Sequence, residues 1–173
     1  YYLSEKLADI QYNFINLPSR IEFENGHVIS YLYYADGIKL RTTHIIGSDT
    51  TVTDYCGNVI YENGIPVKLL TEAGYVTLAD SKYHYFVQDH LGNNRVVVDQ
   101  SGNVEEVNHY YPFGGLLSSS VSNAVQPYKY NGKELDRKNG LDWYDYGARM
   151  YDAALGRWHA VDPMSEKYYS WSP

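Results

Sequence analysis

The stretch YHYFVQDHLGNNRVVVDQSGNV (83–104) contains the pattern that decides the fold. A turn signal, Leu91-Gly92-Asn93, separates two short apolar segments, and a second signal, Ser101-Gly102-Asn103, follows them. Side chains alternate between the two faces of a strand, so Tyr83 and Tyr85 fall on the same face. Glycine beside asparagine tolerates the positive φ angles that tight hairpins require. The stretch therefore predicts antiparallel strands joined by short turns.

The same punctuation runs through the rest of the chain. Further turn signals occur at Asn25-Gly26, Asp36-Gly37, Cys56-Gly57-Asn58, Asn63-Gly64, Asn131-Gly132 and Asn139-Gly140. The chain has 20 tyrosines against only 4 phenylalanines, and tyrosine suits a pleated, half-buried surface on which its hydroxyl finds a partner. No segment of helical length carries a helical apolar stripe. We expect an all-β protein of antiparallel hairpins with little helix.

Similar segments recur along the first part of the chain. IQYNFINLPSRIEF (10–23) is similar to YLYYADGIKLRTTH (31–44), and the interval from Tyr12 to Tyr33 equals that from Tyr34 to Tyr55. Hairpin-sized units of this kind cannot bury a face alone, so they stack on their neighbours. The pattern predicts a degenerate tandem repeat.

The character of the sequence changes near residue 108. Beyond it, HYYPFGGLLSSSVSNAVQP (109–127) is typical of a turn and a surface loop, and the final third is denser in aromatic and charged residues. We therefore divide the chain into repeats at 1–108 and a second unit at 109–173. We expect the two parts to share one sheet.

Composition excludes several classes of protein. With 14 basic and 21 acidic residues the net charge is -7, which argues against nucleic-acid binding. No apolar run is long enough to span a bilayer, and the first residues lack a signal peptide's pattern. The single cysteine, Cys56, excludes an internal disulfide, and the six histidines show no paired metal spacing. We expect neither cofactor nor metal, and a chain that is a fragment of a longer protein.

Three stretches resemble one known family. YYADGIKLR (33–41), DHLGNNRVVVDQSGNVEEVNHYYPFG (89–114) and YKYNGKELDRKNGLDWYDYGARMYDAALGRWHAVDP (128–163) are similar to the bacterial Rhs/YD-repeat proteins and their Rhs repeat-associated core domain. The resemblance implies hairpins that spiral into a hollow shell, with the core domain closing one end. It also implies a secreted or cell-surface protein whose shell encloses a C-terminal toxin or effector, so that the rest of the shell and this cargo would be the partners.

The resemblance also implies a candidate catalytic pair. In self-cleaving members an aspartate before proline works with a second aspartate further along the chain and with an upstream arginine. Asp162 matches the first aspartate and Arg149 matches the arginine. Aspartyl proteolysis needs two carboxylates that share a proton, and the sequence ends at Pro173 before the second would follow. We therefore expect this fragment to be non-enzymatic, with Arg149 and Asp162 in structural roles; an autoprotease module is the alternative.

Two other interpretations stay open. Tyrosine and tryptophan faces could stack on sugar rings, so a surface carbohydrate-binding or adhesion module is a second alternative, although a packed sheet gives the same pattern. The cut ends of a spiral sheet expose strand edges, and we expect self-association through them.

The stretch LDWYDYGARMYDAALGRWHAVDP (141–163) has a predicted structural role as well. We expect it to form the seam where the core domain folds against the repeats. Its aromatic residues would supply most of the burial, Gly147 and Gly156 would allow sharp turns, and Arg149 and Asp162 would pair at the edge of the cluster.

Overall fold

The computed structural model describes residues 7–118, 120–122 and 126–167, and within them the protein is all-β. Twelve strands form one antiparallel sheet in which each strand pairs with its neighbours in sequence, in the order β1 to β12. The predicted all-β, hairpin-built fold is therefore confirmed. Helix in the described residues is limited to three short 3₁₀ turns at Tyr130–Gly132, Lys138–Gly140 and Ser165–Lys167.

The strands of the large sheet follow one another with short connections. They are β1 Leu7–Tyr12, β2 Pro18–Phe23, β3 Val28–Tyr33, β4 Lys39–Ile46, β5 Asp49–Cys56, β6 Val59–Glu62, β7 Ile65–Thr71, β8 Gly74–Thr77, β9 Lys82–Gln88, β10 Asn94–Asp99, β11 Val104–Val107 and β12 Val121–Ser122.

The predicted turns are built by side chains as well as by glycine. Between β10 and β11, the Asp99 carboxylate accepts hydrogen bonds from the backbone N–H groups of Ser101 and Asn103, each at 2.8 Å, and from the Asn103 side chain. Gly102 completes the turn at φ +85°, a conformation that L-residues rarely adopt. These hydrogen bonds hold the pKa of Asp99 below its usual value, and the bond from the Asn103 side chain has the largest effect. The motif explains why Asp-x-x-Gly-Asn signals a hairpin in this sequence.

Four strands after residue 133 form a second, smaller antiparallel sheet. They are β13 Glu134–Asp136, β14 Trp143–Asp145, β15 Met150–Asp152 and β16 Arg157–Trp158. The expectation that both parts of the chain share one sheet is thus wrong for these strands, although β12 does pair with β11 of the repeats. The proposed boundary near residue 108 stays a prediction.

The core lies between the two sheets at the N-terminal end of the large one. Trp143 and Met150 of the small sheet, with Leu141 before it, pack against buried side chains of β2 and β3. The members from the large sheet are Ile21, Phe23, Ile29 and Tyr31. We call this contact between the sheets the seam. It joins residues that are more than a hundred positions apart, so neither sheet has this core by itself.

Candidate functional site

The small sheet presents two different faces. Cross-strand pairing places Trp143, Asp145 and Met150 on the face that meets the large sheet, whereas Tyr144 and Tyr151 point away from it. Stretch 141–163 therefore forms one side of the seam, as predicted. The burial comes from fewer aromatic residues than expected, because Trp143 and Tyr144 are buried while Trp158 is 40% exposed.

A charged cluster crosses the seam beside the apolar core. Lys39 of β4 lies 2.7 Å from the carboxylates of both Glu134 and Asp145, and the Tyr55 hydroxyl donates a 2.6 Å hydrogen bond to Glu134. Burial by itself would lower the pKa of Lys39, but the charges of Glu134 and Asp145, with Tyr55, outweigh it and raise that pKa well above its usual value. The lysine therefore stays charged and ties three elements together.

A second polar contact crosses the seam nearby. The imidazole Nε2 of His44 lies 3.0 Å from Asp136 Oδ2, and the Tyr31 hydroxyl donates a 2.8 Å hydrogen bond to the same oxygen. Burial by itself would raise the pKa of Asp136, but the hydrogen bond and charge of His44, together with Tyr31 and Lys39, hold it below the usual value. Asp136 is thus an ionised carboxylate held by residues of β3 and β4.

The outer face of the small sheet is covered by the loop after β11. The hydroxyl of Tyr144 donates to the backbone carbonyl of Gly114 at 2.9 Å, and that of Tyr151 donates to the carbonyl of Phe113 at 3.1 Å. The YPFGG segment (111–115) is therefore bound over the small sheet by two tyrosines of neighbouring strands. The small sheet lies between this loop and the repeats.

Arg149 and Asp162 come together at the edge of the outer face. The Arg149 guanidinium donates a 3.1 Å hydrogen bond to Asp162 Oδ2 and stacks over the Trp158 ring, 4.4 Å from its centroid. The other carboxylate oxygen of Asp162 accepts from the backbone N–H of Met164 at 2.8 Å. The predicted pairing at the edge of the aromatic cluster is confirmed. Both side chains are about one-fifth exposed, so the pair is partly accessible to solvent.

The predicted glycine turns are also present. Gly147 and Gly156 have φ angles of +82° and +65°, and they lie in the turns that precede β15 and β16. Phe113 of the covering loop lies where a side chain at Gly156 would contact it, since a Cβ there would be 3.6 Å from the Phe113 ring. These glycines shape the hairpins that hold Arg149 and Trp158.

Sequence analysis did not identify the charged cluster of Lys39, Glu134 and Asp145, nor the contact of His44 with Asp136. A weak signal existed, since Lys39 follows the tyrosine-rich segment YLYY (31–34) across one hairpin turn, and a lysine on a buried face needs a charged or polar partner. No helix in the part of the chain that the structure describes is long and apolar enough to cross a membrane.

Comparison with known proteins identifies the architecture. A sequence model of the teneurin YD-shell family matches residues 69–171. Salivary gland surface protein 1 of Aedes aegypti is 29% identical over 97% of this chain, and toxin subunit YenC1 of Yersinia entomophaga is 29% identical over 75% of it. This chain spans only 6% and 14% of those proteins.

Solved structures show the same fold. The crystal structure of TcdB2-TccC3-TEV superposes on 90% of this chain with a TM-score of 0.75 and 18% identity, and the chain covers 9% of that protein. A Tc holotoxin pore structure from Photorhabdus luminescens superposes on the same share with a TM-score of 0.72 and 20% identity, again over 9% of that chain. At these identities the likeness concerns the fold alone.

Proposed function

Because this chain belongs to the teneurin YD-shell family, we propose that it forms part of the wall of a protein shell that encloses or presents a C-terminal toxin or effector. The proposal includes an exported or cell-surface location for the whole protein. Two relatives support this location by name, one a surface protein and the other a toxin subunit.

The observation that carries the proposal is the strand order of the large sheet. All twelve strands pair only with their sequence neighbours, so β1 has one unpaired edge within the described residues. A sheet of this kind can continue by adding hairpins, as a wall must. The small sheet packs across its face at the seam and supplies a second layer there.

Limited proteolysis of the whole protein that contains this chain tests the shell. A protease-cleavable tag fused after the C-terminal region should be protected in the wild type. It should become accessible in Met150→Asp, because this substitution places a carboxylate in the apolar core and opens the seam. Val161→Asp is the matched control, because Val161 is 65% exposed. Equal cleavage of the tag in all three proteins would contradict enclosure.

The pairing of Arg149 with Asp162 favours a second candidate function, self-cleavage by an aspartyl autoprotease. One carboxylate cannot act as both acid and base, so a second aspartate beyond Pro173 would have to complete the site. In a chain extended through that residue, we expect Asp162→Asn to abolish release of a C-terminal piece and Arg149→Ala to weaken or abolish it, as judged on a denaturing gel. Unchanged release from Asp162→Asn would leave the pair with a structural role only.

A further inference from the structure

A buried polar cluster lies where β11 meets the segment that leads to the small sheet. Glu106 and Asn108 are fully buried, and Lys129 is 2% exposed. Lys129 Nζ donates to Glu106 Oε1 at 2.5 Å, and Asn108 Nδ2 donates to the same oxygen. The amine and the carboxamide are therefore held within about two hydrogen-bond lengths of each other by one carboxylate.

We propose that Lys129 and Asn108 form an intramolecular isopeptide bond, with Glu106 as the proton-transfer group. The lysine amine, the side-chain amide and the carboxylate are the three groups that such a reaction needs, and all three are enclosed together away from water. The proposal is independent of the shell function.

Lys129 has the properties of a nucleophile. Burial lowers its pKa, and the hydrogen bond and charge of Glu106 oppose this effect without cancelling it. A desolvated lysine is more readily the neutral amine, which attacks carbonyl carbons. Fixed proximity removes most of the entropic barrier to the attack, as in other intramolecular reactions.

The cluster also has a place for the transferred proton. Glu106 Oε2 and Asn108 Oδ1 are both buried without a hydrogen-bond partner among the described residues. Such groups are costly when they stay unpaired. A proton on Glu106 Oε2 would supply a donor for the Asn108 carbonyl, which would polarise the carbon that Lys129 attacks.

The reaction balances without an oxidant or a co-reactant. The Lys129 Nζ lone pair forms a bond to Asn108 Cγ, and the bond from Cγ to Nδ2 breaks. Two protons leave Lys129 as it passes from ammonium to secondary amide. Glu106 carries them to the departing nitrogen, which leaves as ammonium, and Glu106 ends as the carboxylate from which it began.

Such a bond would link Asn108, which follows the end of β11, with Lys129, which lies in the segment before β13. The chain has one cysteine and so no internal disulfide, and an isopeptide bond would be a covalent cross-link of the kind that a disulfide provides. It would close a loop between residues 108 and 129, which restricts the unfolded chain.

Intact mass spectrometry of the purified, denatured chain is the test. We expect the wild type to be lighter than its sequence mass by one ammonia molecule, and Lys129→Arg, Asn108→Ala and Glu106→Gln to have full mass. Lys133→Arg is the matched control and should still lose ammonia. Asn108→Asp should lose water instead, because the leaving group then comes from a carboxyl. A wild-type chain of full sequence mass would overturn the proposal, whether or not the variants fold.

Peptide mapping separates the bond from other losses of ammonia. We expect a branched peptide that joins the segments around Asn108 and Lys129 and survives hydroxylamine. A loss of ammonia that maps to a succinimide at an Asn-Gly pair, with no branched peptide, would overturn the proposal. So would a branch at Gln126, whose amide donates to the same Glu106 oxygen at 2.9 Å.

Discussion

Removing the cation at the seam should cost a large part of the protein's stability. In Lys39→Met, the carboxylates of Glu134 and Asp145 lose a partner that lies 2.7 Å from each, in a site where the lysine side chain is only 11% exposed. Breaking a buried pair by removing one partner typically costs about 3 to 5 kcal/mol. Tyr55 and the backbone N–H of Gly147 still donate to these carboxylates, so we expect a loss near the lower end of that range.

Urea unfolding followed by tryptophan fluorescence measures this loss, because Trp143 lies in the seam. Domains of this size are stable by only about 5 to 15 kcal/mol, so the midpoint should fall clearly while the slope stays unchanged. The matched control is Arg41→Met on the same strand, whose half-exposed side chain pairs with Asp54 and should matter little.

A rescue variant decides the physical cause. If unbalanced buried charge is responsible, combining Lys39→Met with Glu134→Gln and Asp145→Asn should restore most of the stability. A single variant as stable as the wild type would show that solvent screens the cluster as it does surface ion pairs. A triple variant that is no more stable than the single one would show that packing of the lysine stem matters, and would refute the electrostatic argument.

Three further predictions concern pH and assembly. The pKa of Asp136 is held low in the folded protein, so the ionised carboxylate stabilises the fold at neutral pH, and this contribution is lost on acidification below about pH 4. Thermal unfolding of Asp136→Asn across pH 2 to 7 should therefore show a shallower acid dependence than that of the wild type. Burial lowers the pKa of His159, whose ring centroid stacks 3.5 Å from that of Trp143, so the folded state favours the neutral imidazole. The wild type should therefore lose stability as the pH falls below 6.5, the usual pKa of histidine. The same titration of His159→Phe should lack that step. The chain should self-associate through the edge of β1 that has no partner strand within the described residues. Leu7→Lys, which places a charge on that edge, should shift sedimentation toward the monomer, and a wild type that is monomeric at all concentrations would contradict this.

Much of the fold could be predicted because its signals are local. Period-two alternation and the Gly-Asn turns depend on residues a few positions apart. The structure shows such a turn held by hydrogen bonds between Asp99 and Asn103. The pairing of Arg149 with Asp162 could also be predicted, since the two residues lie close in sequence and belong to a recognisable motif. Its chemical role stays a prediction, because one carboxylate of a pair does not define a reaction.

The sequence by itself determined that the chain is antiparallel β-structure and where most of its turns lie. Only the tertiary structure decided which charged residues face inward, because β-bulges change the alternation that sequence reasoning assumes. Between β3 and β4, Leu32 pairs with Arg41, but the next residue, Tyr33, pairs with Lys39. Leu40 is the extra residue of this bulge, so Lys39 lies on the opposite face from Arg41 and points into the seam. In β11, the register with β10 passes from Val104 to Glu106, so Glu105 contacts His84 while Glu106 faces Lys129. A bulge inserts one residue without a strong local signal, and the partners it brings together come from distant parts of the chain.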